Sequence, residues 1–590
     1  MTGGALVVKA LEDEGVRFTF GIPGTHNIEL YDALADSTSV RPILVTDEQS
    51  ASFAADAVWR ASGELACANL VPGAGLTHAL SGIAEAYLDT VPMLVLGCGI
   101  RRDTGKAYQL HDVDQQALAR PVTKAQFLPH RGEELYATIR RACRAARAGV
   151  PGPVFVEVPA NLYLSRYDEG VALQAWREEE AQAPPRTPPT RNGGAEAGGA
   201  AALEGAGLEE AAQLLNAARR PLLYVGLGAA GAGRTLVHLA ERLEAPVATT
   251  FQGKGVFPES HPLALWPGFG DAAPPFGRAI AGSCDATLAV GCRFGEVATG
   301  SYGAVPRQPL VHLDIDAGTP GRNFPAAVTL AGDAARLVPA LLRRLEPKPP
   351  DPALRAHIAH GRAEVRAKWE RATGNGRVSP WRLLTGLQAR FGPDAVYTAD
   401  SGNGTFLAME MLTLDRPGKF LAPVDYSCMG YAVPAALGAA LARPECPVIA
   451  LAGDGAFLMT GLELLTAAHE GARAAVFVLR DRELAQIAQL QGVAMNRKTA
   501  SLLPDFDAGG LAAAVGVEAL RLERDEQIPA VLERVAAVTG AGRPVLVDTA
   551  IDYSEKTYFT RGIVRTTLGR LPWSDRLRFV ARALGRRVTG

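Results

Sequence analysis

The chain has 590 residues, of which 48% are apolar and 21% charged, and its formal net charge is −2. This length is too great for one hydrophobic core and predicts about three to five domains, while the ordinary composition excludes a disordered chain. The near-neutral charge gives no electrostatic reason to expect nucleic acid as a partner.

Seven cysteines are scattered without a CxxC pair, which argues against a disulfide framework and against a zinc site. The amino terminus shows no basic segment followed by an apolar run, and no uncharged apolar stretch is long enough to cross a membrane. These features predict a cytoplasmic protein that has no membrane partner.

Short apolar runs alternate with helical patterns three times along the chain, and Pro-rich segments separate the three regions. Such alternation is typical of parallel sheets covered by helices, so we expect an α/β protein with three consecutive doubly wound domains. The tail has nine Lys or Arg against three Asp or Glu, which indicates either a solvated face or a segment that folds over an active-site mouth. In chain order, the predicted parts are a first domain (1–170), a linker (171–205), a central domain (206–346), a linker (347–377), a third domain (378–550) and a basic tail (551–590).

The first domain contains an acidic residue at the start of a predicted helix. Glu48 follows the apolar run PILVT and precedes the small-residue stretch SASFAADAV. On its own, such a residue is explained by the helix dipole, which favours acidic side chains at a helix N-terminus. The segments FGIPGTHNIELYDAL and LVPGAGLTHALSGIAEAYLDTVPMLVLGCG flank it.

The third domain contains two acidic residues at the predicted ends of neighbouring strands. A buried strand ends in Gly453-Asp454-Gly455, and the next strand ends at Arg480-Asp481. Open α/β sheets bind ligands at this edge, where glycines and a helix N-terminus accept phosphate and carboxylates hold a hard cation. A GDG turn alone is a weak motif, and a strand-to-helix turn explains it equally well.

Together these segments, in this order, resemble the acetolactate synthase family of thiamine diphosphate enzymes over residues 3–550. The resemblance implies a pyrimidine-binding, a central and a diphosphate-binding domain, with thiamine diphosphate and Mg²⁺ as cofactors. It makes Glu48 the carboxylate that activates the aminopyrimidine. Asp454, Asp481 and the backbone carbonyl of Glu483 would be the metal ligands. The chain departs from the family pattern at Asp481, where the family has Asn.

The resemblance also implies how the cofactor is held. Met429, in the segment CMGYAVPAALG, would be the apolar support that bends the cofactor, and the carbonyl of Ser427 would accept a hydrogen bond from its amino group. Further cofactor contacts are implied for Gly73, Gly75, Gly402, Asn403, Gly453, Gly455 and Ala456.

The groups expected over the reactive carbon are less conventional. His26 stands where benzaldehyde lyase-like members have a histidine, and His111 aligns with the pocket glutamine of acetolactate synthases, although Gln109 is close enough to take that role. Two histidines in one pocket would transfer a proton to a carbonyl or alkoxide. Gln486 and Leu490 replace residues that are typical of the biosynthetic enzyme.

We therefore expect a carboligase or decarboxylase that acts on 2-keto acids of the pyruvate type through an enamine. A lyase of 2-hydroxy ketones or 2-hydroxyacyl-CoA, a catalytically silent paralogue and a flavin or nicotinamide oxidoreductase are the alternatives. The segment GCRFGEVATG resembles a flavin-binding segment of the family, and Arg293 is retained while an acidic pair is lost, which leaves FAD open. Because Glu48 and Asp454 lie in different domains, the resemblance implies a homodimer or homotetramer.

Overall fold

In the computed structural model, residues 1–182, 205–578 and 581–582 are described. They form three six-stranded sheets in which every pair of neighbouring strands is parallel. Helices flank each sheet, so the prediction of three consecutive α/β modules is confirmed. The boundaries of the three domains stay predictions.

The first module contains six strands and eight helices. Apolar runs such as PVFVEVP are buried along their whole length, as expected for strands covered on both faces. Its strands are β1 (Phe18–Gly21), β2 (Arg41–Leu44), β3 (Cys67–Leu70), β4 (Met93–Gly99), β5 (Ala125–Phe127) and β6 (Pro153–Pro159). Its helices are α1 (Gly3–Asp13), α2 (Ile28–Ala35), α3 (Glu48–Ser62), α4 (Ala74–Leu88), α5 (Gln115–Ala119), α6 (Leu135–Arg147), α7 (Ala160–Leu164) and α8 (Glu169–Gln182).

The central module repeats this alternation with a different connectivity. Its strands are β7 (Pro221–Val225), β8 (Val247–Thr249), β9 (Ala264–Pro267), β10 (Ala286–Val290), β11 (Leu310–Asp314) and β12 (Val328–Ala331). The helices are α9 (Ala206–Ala217), α10 (Gly233–Leu243), α11 (Pro275–Ser283), α12 (Ala334–Leu342) and α13 (Pro352–Arg371).

The third module ends in a helix that lies in the basic tail. Its strands are β13 (Val396–Ala399), β14 (Phe420–Leu421), β15 (Val448–Gly453), β16 (Ala474–Arg480), β17 (Glu518–Leu522) and β18 (Val545–Ala550). The helices are α14 (Pro380–Phe391), α15 (Asn403–Met411), α16 (Ala432–Ala442), α17 (Asp454–Thr460), α18 (Glu463–His469), α19 (Ala485–Met495), α20 (Ala508–Ala514), α21 (Ile528–Gly540) and α22 (Tyr558–Arg570).

The first and third sheets have the same strand order. It is β2-β1-β3-β4-β6-β5 in the first module and β14-β13-β15-β16-β18-β17 in the third, whereas the central sheet runs β12-β11-β10-β7-β8-β9. The carboxyl ends of the middle strands are where ligands bind in such sheets. Each outer module therefore offers one ligand-binding edge.

Helix α16 joins the third module to helix α3 of the first. All eleven residues of α16 are buried, as expected for a helix that is apolar all round. A Cβ on Gly438 would lie 2.2 Å from the carbonyl oxygen of Ala54, so the two helices approach to backbone contact. One hydrophobic cluster consequently runs through both modules.

The predicted linker 347–377 contains the 20-residue helix α13, which corrects the interpretation of this segment as a plain linker. Asp351 caps the helix by accepting from the N–H of Leu354, and Pro352 occupies the first turn, where proline sacrifices no hydrogen bond. A Cβ on Gly361 would lie 2.1 Å from the Phe276 ring, so α13 packs closely on α11. The prolines that suggested a linker mark the start of this helix.

The basic tail packs on the molecule through α22. The ring of Phe559 lies 4.3 Å from that of Phe251 and 4.9 Å from that of Phe406, measured between centroids. The tail helix thus lies at the junction of the central and third modules. In the predicted linker 171–205, the helix α8 ends at Gln182 and residues 183–204 lie outside the described residues. None of the described helices is long and apolar enough to span a membrane.

Candidate active site

The carboxylate of Glu48 lies at the start of α3 and is almost fully buried, with 7% of the residue exposed. Asp47 caps the helix by accepting from the N–H of Gln49, which fixes the direction of the first turn. A Cβ on Gly75 would lie 3.1 Å from Glu48 Oε1. Glu48 Oε2 lies 3.3 Å from Nδ1 of His78. Glu48 is therefore packed between the glycine turn and a histidine of α4.

The glycine turn before α4 is fixed by the segment that follows β4. Gly73 has a φ of +60°, and its N–H donates to Gln115 Oε1 at 3.1 Å. The amide of Gln115 in turn donates to the carbonyl of Cys98 at 3.0 Å. The carbonyl oxygen of His111 lies 3.3 Å from the position of a Cβ on Gly73. This packing holds the His111 loop against the glycine turn.

The structure brings His26 and His111 together. Their ring centroids lie 5.5 Å apart with the rings at 75°, and Thr25 Oγ1 lies 3.1 Å from Nδ1 of His26. Burial and then the charge of His111 lower the pKa of His26. Gln109 instead donates through its amide to the carbonyls of Arg101 and Lys106 within its own loop.

Two acidic side chains meet at the carboxyl edge of the third sheet. Asp454 begins α17 directly after β15; its Oδ1 accepts from the N–H of Gly455 at 2.9 Å, and its Oδ2 accepts from the N–H of Arg482 at 2.7 Å. Asp481 follows the neighbouring strand β16. Burial and then the charge of Asp454 raise the pKa of Asp481 to about 7. Such a carboxylate pair is suited to a divalent cation.

The side chain of Glu483 is engaged by Lys498, whose ammonium lies 2.5 Å from one carboxylate oxygen and 2.7 Å from the other. Glu483 therefore offers the metal site its backbone carbonyl, as the sequence comparison implied. Within the described residues, no group of three or more His, Cys, Asp or Glu side chains could hold a metal ion. The two aspartates fit Mg²⁺ only together with further oxygens, such as those of a diphosphate.

Open space surrounds the backbone at the predicted diphosphate contacts. No atom lies within 4 Å of a Cβ built on Gly402 or on Gly453. Gly402 has a φ of +145° and caps α15, which Asn403 begins. Gly455 and Ala456, in the first turn of α17, are buried beside them. This arrangement fits an anion at two helix N-termini.

The segment after β14 carries the two remaining predicted cofactor contacts. Met429 Cε lies 3.6 Å from the position of a Cβ on Gly455, so its side chain borders the acidic pair's helix. Ser427 has a φ of +66°, which is uncommon for a residue other than glycine. Its hydroxyl lies 2.6 Å from that of Ser401.

Two residues of the site were missed by the sequence analysis. His78 lies beside Glu48 because it follows Gly75 by one turn of α4, a spacing that the sequence already contains. Desolvation and the charges of Asp481 and Asp454 raise the pKa of Tyr553, which places its phenol near the acidic pair. Tyr553 follows the end of β18, the strand next to β16, so the rule that strand ends line the site would have found it.

A cavity lies between the three modules and is lined by Arg60, Gly228, Gly291, Arg293, Asp314 and Asp425 among others. The chain leaves β7 and β10 in opposite directions across the central sheet, so their carboxyl ends form the switch point at which such sheets bind nucleotides. Burial raises the pKa of Asp314, at the end of β11, to about 6. Glycine backbones and an acid at strand ends suit the ribose and phosphates of a nucleotide.

Three family models match the chain in the order of its sheets. The thiamine pyrophosphate enzyme N-terminal TPP-binding domain matches residues 1–118, the central domain matches 208–341, and the C-terminal TPP-binding domain matches 400–549. Thiamine pyrophosphate is another name for thiamine diphosphate. The fold and the site thus define a thiamine diphosphate-dependent enzyme.

Several curated proteins resemble the chain over almost all of its length. It is 30% identical to an acetolactate synthase of Mycobacterium bovis, covering 93% of this chain and 88% of that protein. It is 31% identical to a probable acetolactate synthase large subunit of Methanocaldococcus jannaschii, covering 94% and 93%. Acetolactate synthase isozyme 1 large subunit of Escherichia coli is 27% identical, covering 94% and 95%.

The chain belongs to the acetolactate synthase-like family of thiamine diphosphate enzymes. This result confirms the resemblance and supports the interpretation of the chain as an enzyme. The catalytically silent paralogue and the oxidoreductase are therefore not retained as interpretations of the whole chain.

Proposed function

We propose that the protein is a thiamine diphosphate- and Mg²⁺-dependent carboligase or decarboxylase of 2-keto acids. The observation that supports this most directly is the buried pair Asp454 and Asp481 at the ends of neighbouring strands, beside two open helix N-termini. Bound thiamine diphosphate would supply a nucleophilic carbon that attacks a keto carbonyl and accepts electrons when carbon dioxide leaves.

In this proposal, Glu48 holds a proton on the aminopyrimidine, and its burial next to Gly75 excludes water from that contact. Asp454, Asp481 and the Glu483 carbonyl hold Mg²⁺, which neutralises the diphosphate. Backbone N–H groups of the Gly402–Asn403 and Gly453–Ala456 turns contact the phosphates.

The remaining groups orient the reacting ends. Met429 supports the bent cofactor, and the carbonyl of Ser427 accepts from its amino group. His26 and His111 hold or move a proton at the substrate oxygen, as their ring contact supports. The site prediction for Gln109 is the weakest of this set, because its amide donates within its own loop.

Product analysis tests this function. Purified protein is given thiamine diphosphate, Mg²⁺ and pyruvate, and the products are separated by chromatography. We expect acetolactate, or the aldehyde from simple decarboxylation, and no product when either cofactor is left out. Absence of turnover with pyruvate and with larger 2-keto acids contradicts the proposal.

A lyase of 2-hydroxy ketones or 2-hydroxyacyl-CoA is a second candidate, and the contact between His26 and His111 favours it. A histidine pair could remove the hydroxyl proton of such a substrate before its carbon–carbon bond breaks. The two candidates differ in their products: release of two carbonyl compounds from a 2-hydroxy ketone, without acetolactate from pyruvate, selects the lyase.

We further propose a homodimer or homotetramer in which Glu48 of one subunit faces Asp454 of another. Exposed apolar side chains border both halves of the site and support this arrangement: Leu44, Tyr108, Leu110 and Val113 in the first module, and Leu458, Met459, Leu462 and Leu465 in the third. Co-refolding of inactive Glu48→Gln protein with inactive Asp454→Ala protein is expected to restore turnover, because some mixed dimers contain one intact site. Two variants that stay inactive together contradict a shared site.

FAD in the central cavity is a separate proposal. It is supported by the switch point between β7 and β10 and by the position of Arg293, which donates to Asp425 Oδ2 at 2.7 Å and to the carbonyl of Leu88. The visible absorbance of the purified protein and of the supernatant after denaturation is measured. Colourless protein that gains no flavin on dialysis against FAD contradicts it.

A cytoplasmic location is proposed from the cysteines. All seven are unpaired, as in proteins of a reducing compartment.

A further inference from the structure

The carboxyl group of Glu85 connects helix α4 of the first module to the segment that follows β14. Glu85 is inaccessible to solvent. Its Oε1 accepts from the N–H of Val424 at 3.1 Å, and its Oε2 accepts from the N–H of Cys428 at 3.1 Å. One side chain thus joins two backbone groups of a segment about 340 residues away.

Neighbouring acidic residues hold the same segment at other points. Asp89, one turn after Glu85, accepts from the N–H of Asp425 at 3.1 Å and pairs with Arg60 at 2.7 Å. Arg60 also pairs with Asp56, which accepts from the Tyr431 hydroxyl at 2.6 Å. The chain from 424 to 431 is therefore attached at four positions to helices α3 and α4.

The attached segment contains two proposed cofactor contacts. Ser427 has its left-handed backbone conformation between the two N–H groups that Glu85 binds, and Met429 follows directly. A residue other than glycine keeps this conformation only when its surroundings determine it. The hydrogen bonds on both sides of Ser427 provide that constraint.

The geometry points to Glu85 as a positioning residue: its carboxyl group sets the conformation of residues 424–428 and thereby the orientation of the Ser427 carbonyl and of Met429 toward the cofactor. This inference rests on the proposed function for its catalytic consequence. The conformational part stands on the two hydrogen bonds alone.

The charges around Glu85 argue against a purely stabilising role. Asp56, Glu85 and Asp89 are three buried acids that face the single cation Arg60. Burial and the charge of Asp89 raise the pKa of Glu85 to about 9. A buried acid in this setting costs stability, and the cost is offset by holding a strained segment next to the site.

Hydrogen exchange in the full-length protein without cofactor tests the conformational part. Glu85→Ala removes both acceptors, whereas Glu85→Gln keeps one carbonyl oxygen and turns an amide NH₂ toward the other N–H. We expect peptides that cover 424–428 to exchange about tenfold faster in E85A, with a smaller increase in E85Q, since the loss of one or two hydrogen bonds corresponds to such a factor. Glu364→Gln, on an exposed part of α13, is the control.

Kinetics at saturating cofactor test the catalytic part. We expect kcat to fall by roughly 10–100-fold in E85A, as for other misplaced site groups, with an unchanged KM for the keto acid and partial recovery in E85Q. Unchanged exchange in 424–428, or an equal rise throughout α3, α4 and α16, overturns the inference. Failure of both variants to fold overturns it as well, because the group would then serve overall stability. A wild type without cofactor-dependent turnover contradicts the proposed function, while the exchange result still decides the role of Glu85.

Discussion

The first and third modules have the same strand order but differ in the residues that follow equivalent strands. After the second strand, the first module places Glu48 and the third places Met429. After the third strand, the first module has the glycine turn at Gly73, whereas the third has Asp454, and Asp481 follows its fourth strand. One module thus presents a single buried carboxylate, and the other an acidic pair.

This difference assigns different ligands to identical frameworks. A single carboxylate among glycines and histidines suits a neutral aromatic ring that needs a hydrogen bond, whereas two adjacent carboxylates suit a cation and the anion it carries. Strand order alone therefore predicts where a ligand binds in each module. The side chains at the strand ends determine which part of the ligand binds there.

The largest expected effect comes from removing the charge in the first module. Glu48→Gln keeps the size of the side chain but removes its basicity, and we expect kcat to fall by roughly 10²–10⁴-fold, the range for general acid–base groups. Cofactor affinity, measured by fluorescence titration, should change little. Glu64→Gln, beyond the other end of α3, is the control. Undiminished turnover of E48Q contradicts the role of Glu48.

The counterpart in the third module should show the opposite pattern. Asp454→Ala is expected to weaken Mg²⁺ and thiamine diphosphate binding by at least the roughly 10–100-fold that loss of a metal-supporting group costs. Calorimetric titration with each cofactor measures this. If E48Q weakens binding and D454A leaves it intact, the assigned division between the modules is wrong.

A smaller effect is expected from the paired histidines. Either His26→Asn or His111→Asn should lower kcat by roughly tenfold, because the partner ring and water take over part of the proton transfer. The double variant should lose little more than the worse single variant, since residues in one contact act together. Additive losses in a double-mutant cycle would show that the two rings act independently.

The smallest effect concerns stability and a group without counterpart in the first module. Asp400, buried at the end of β13, accepts from the N–H groups of Tyr431 and Ala432, and burial raises its pKa to about 7. Its folded pKa exceeds the ordinary value, so its contribution to the free energy of unfolding declines as pH rises from about 4 to 7. Asp400→Asn should remove this decline and raise the unfolding midpoint at pH 8 by about 2–4 °C. Parallel pH profiles for both proteins in a calorimeter contradict it.

The fold was predictable because each strand is a contiguous apolar run between helical patterns. The acidic pair was predictable for the same reason: Asp454 and Asp481 end two runs that are adjacent in the chain and in the sheet. Helix α13 was missed because prolines at a helix start and in a linker look alike in sequence. The attachment of Glu85 to Val424 depends on how two distant modules pack, which no local pattern contains.

The site was predictable residue by residue where motifs are short and contiguous, and less so at its loops. His26 and His111 were expected to converge, and their rings do meet. The orientation of Gln109 was not foreseen, because it depends on carbonyls that become available only when the loop folds. The positions of His78 and Tyr553 required the helix phase and the strand neighbours.

The backbone contact between Gly438 and Ala54 limits how substrate can enter. Because no side chain separates α3 from α16 at this point, the outer modules cannot tilt or slide against each other without breaking it. Access must therefore come from segments that lie outside this rigid pair, above all the exposed stretch 100–114 that carries His111. Grafting a different stretch there would change what enters the protein while leaving its frame intact.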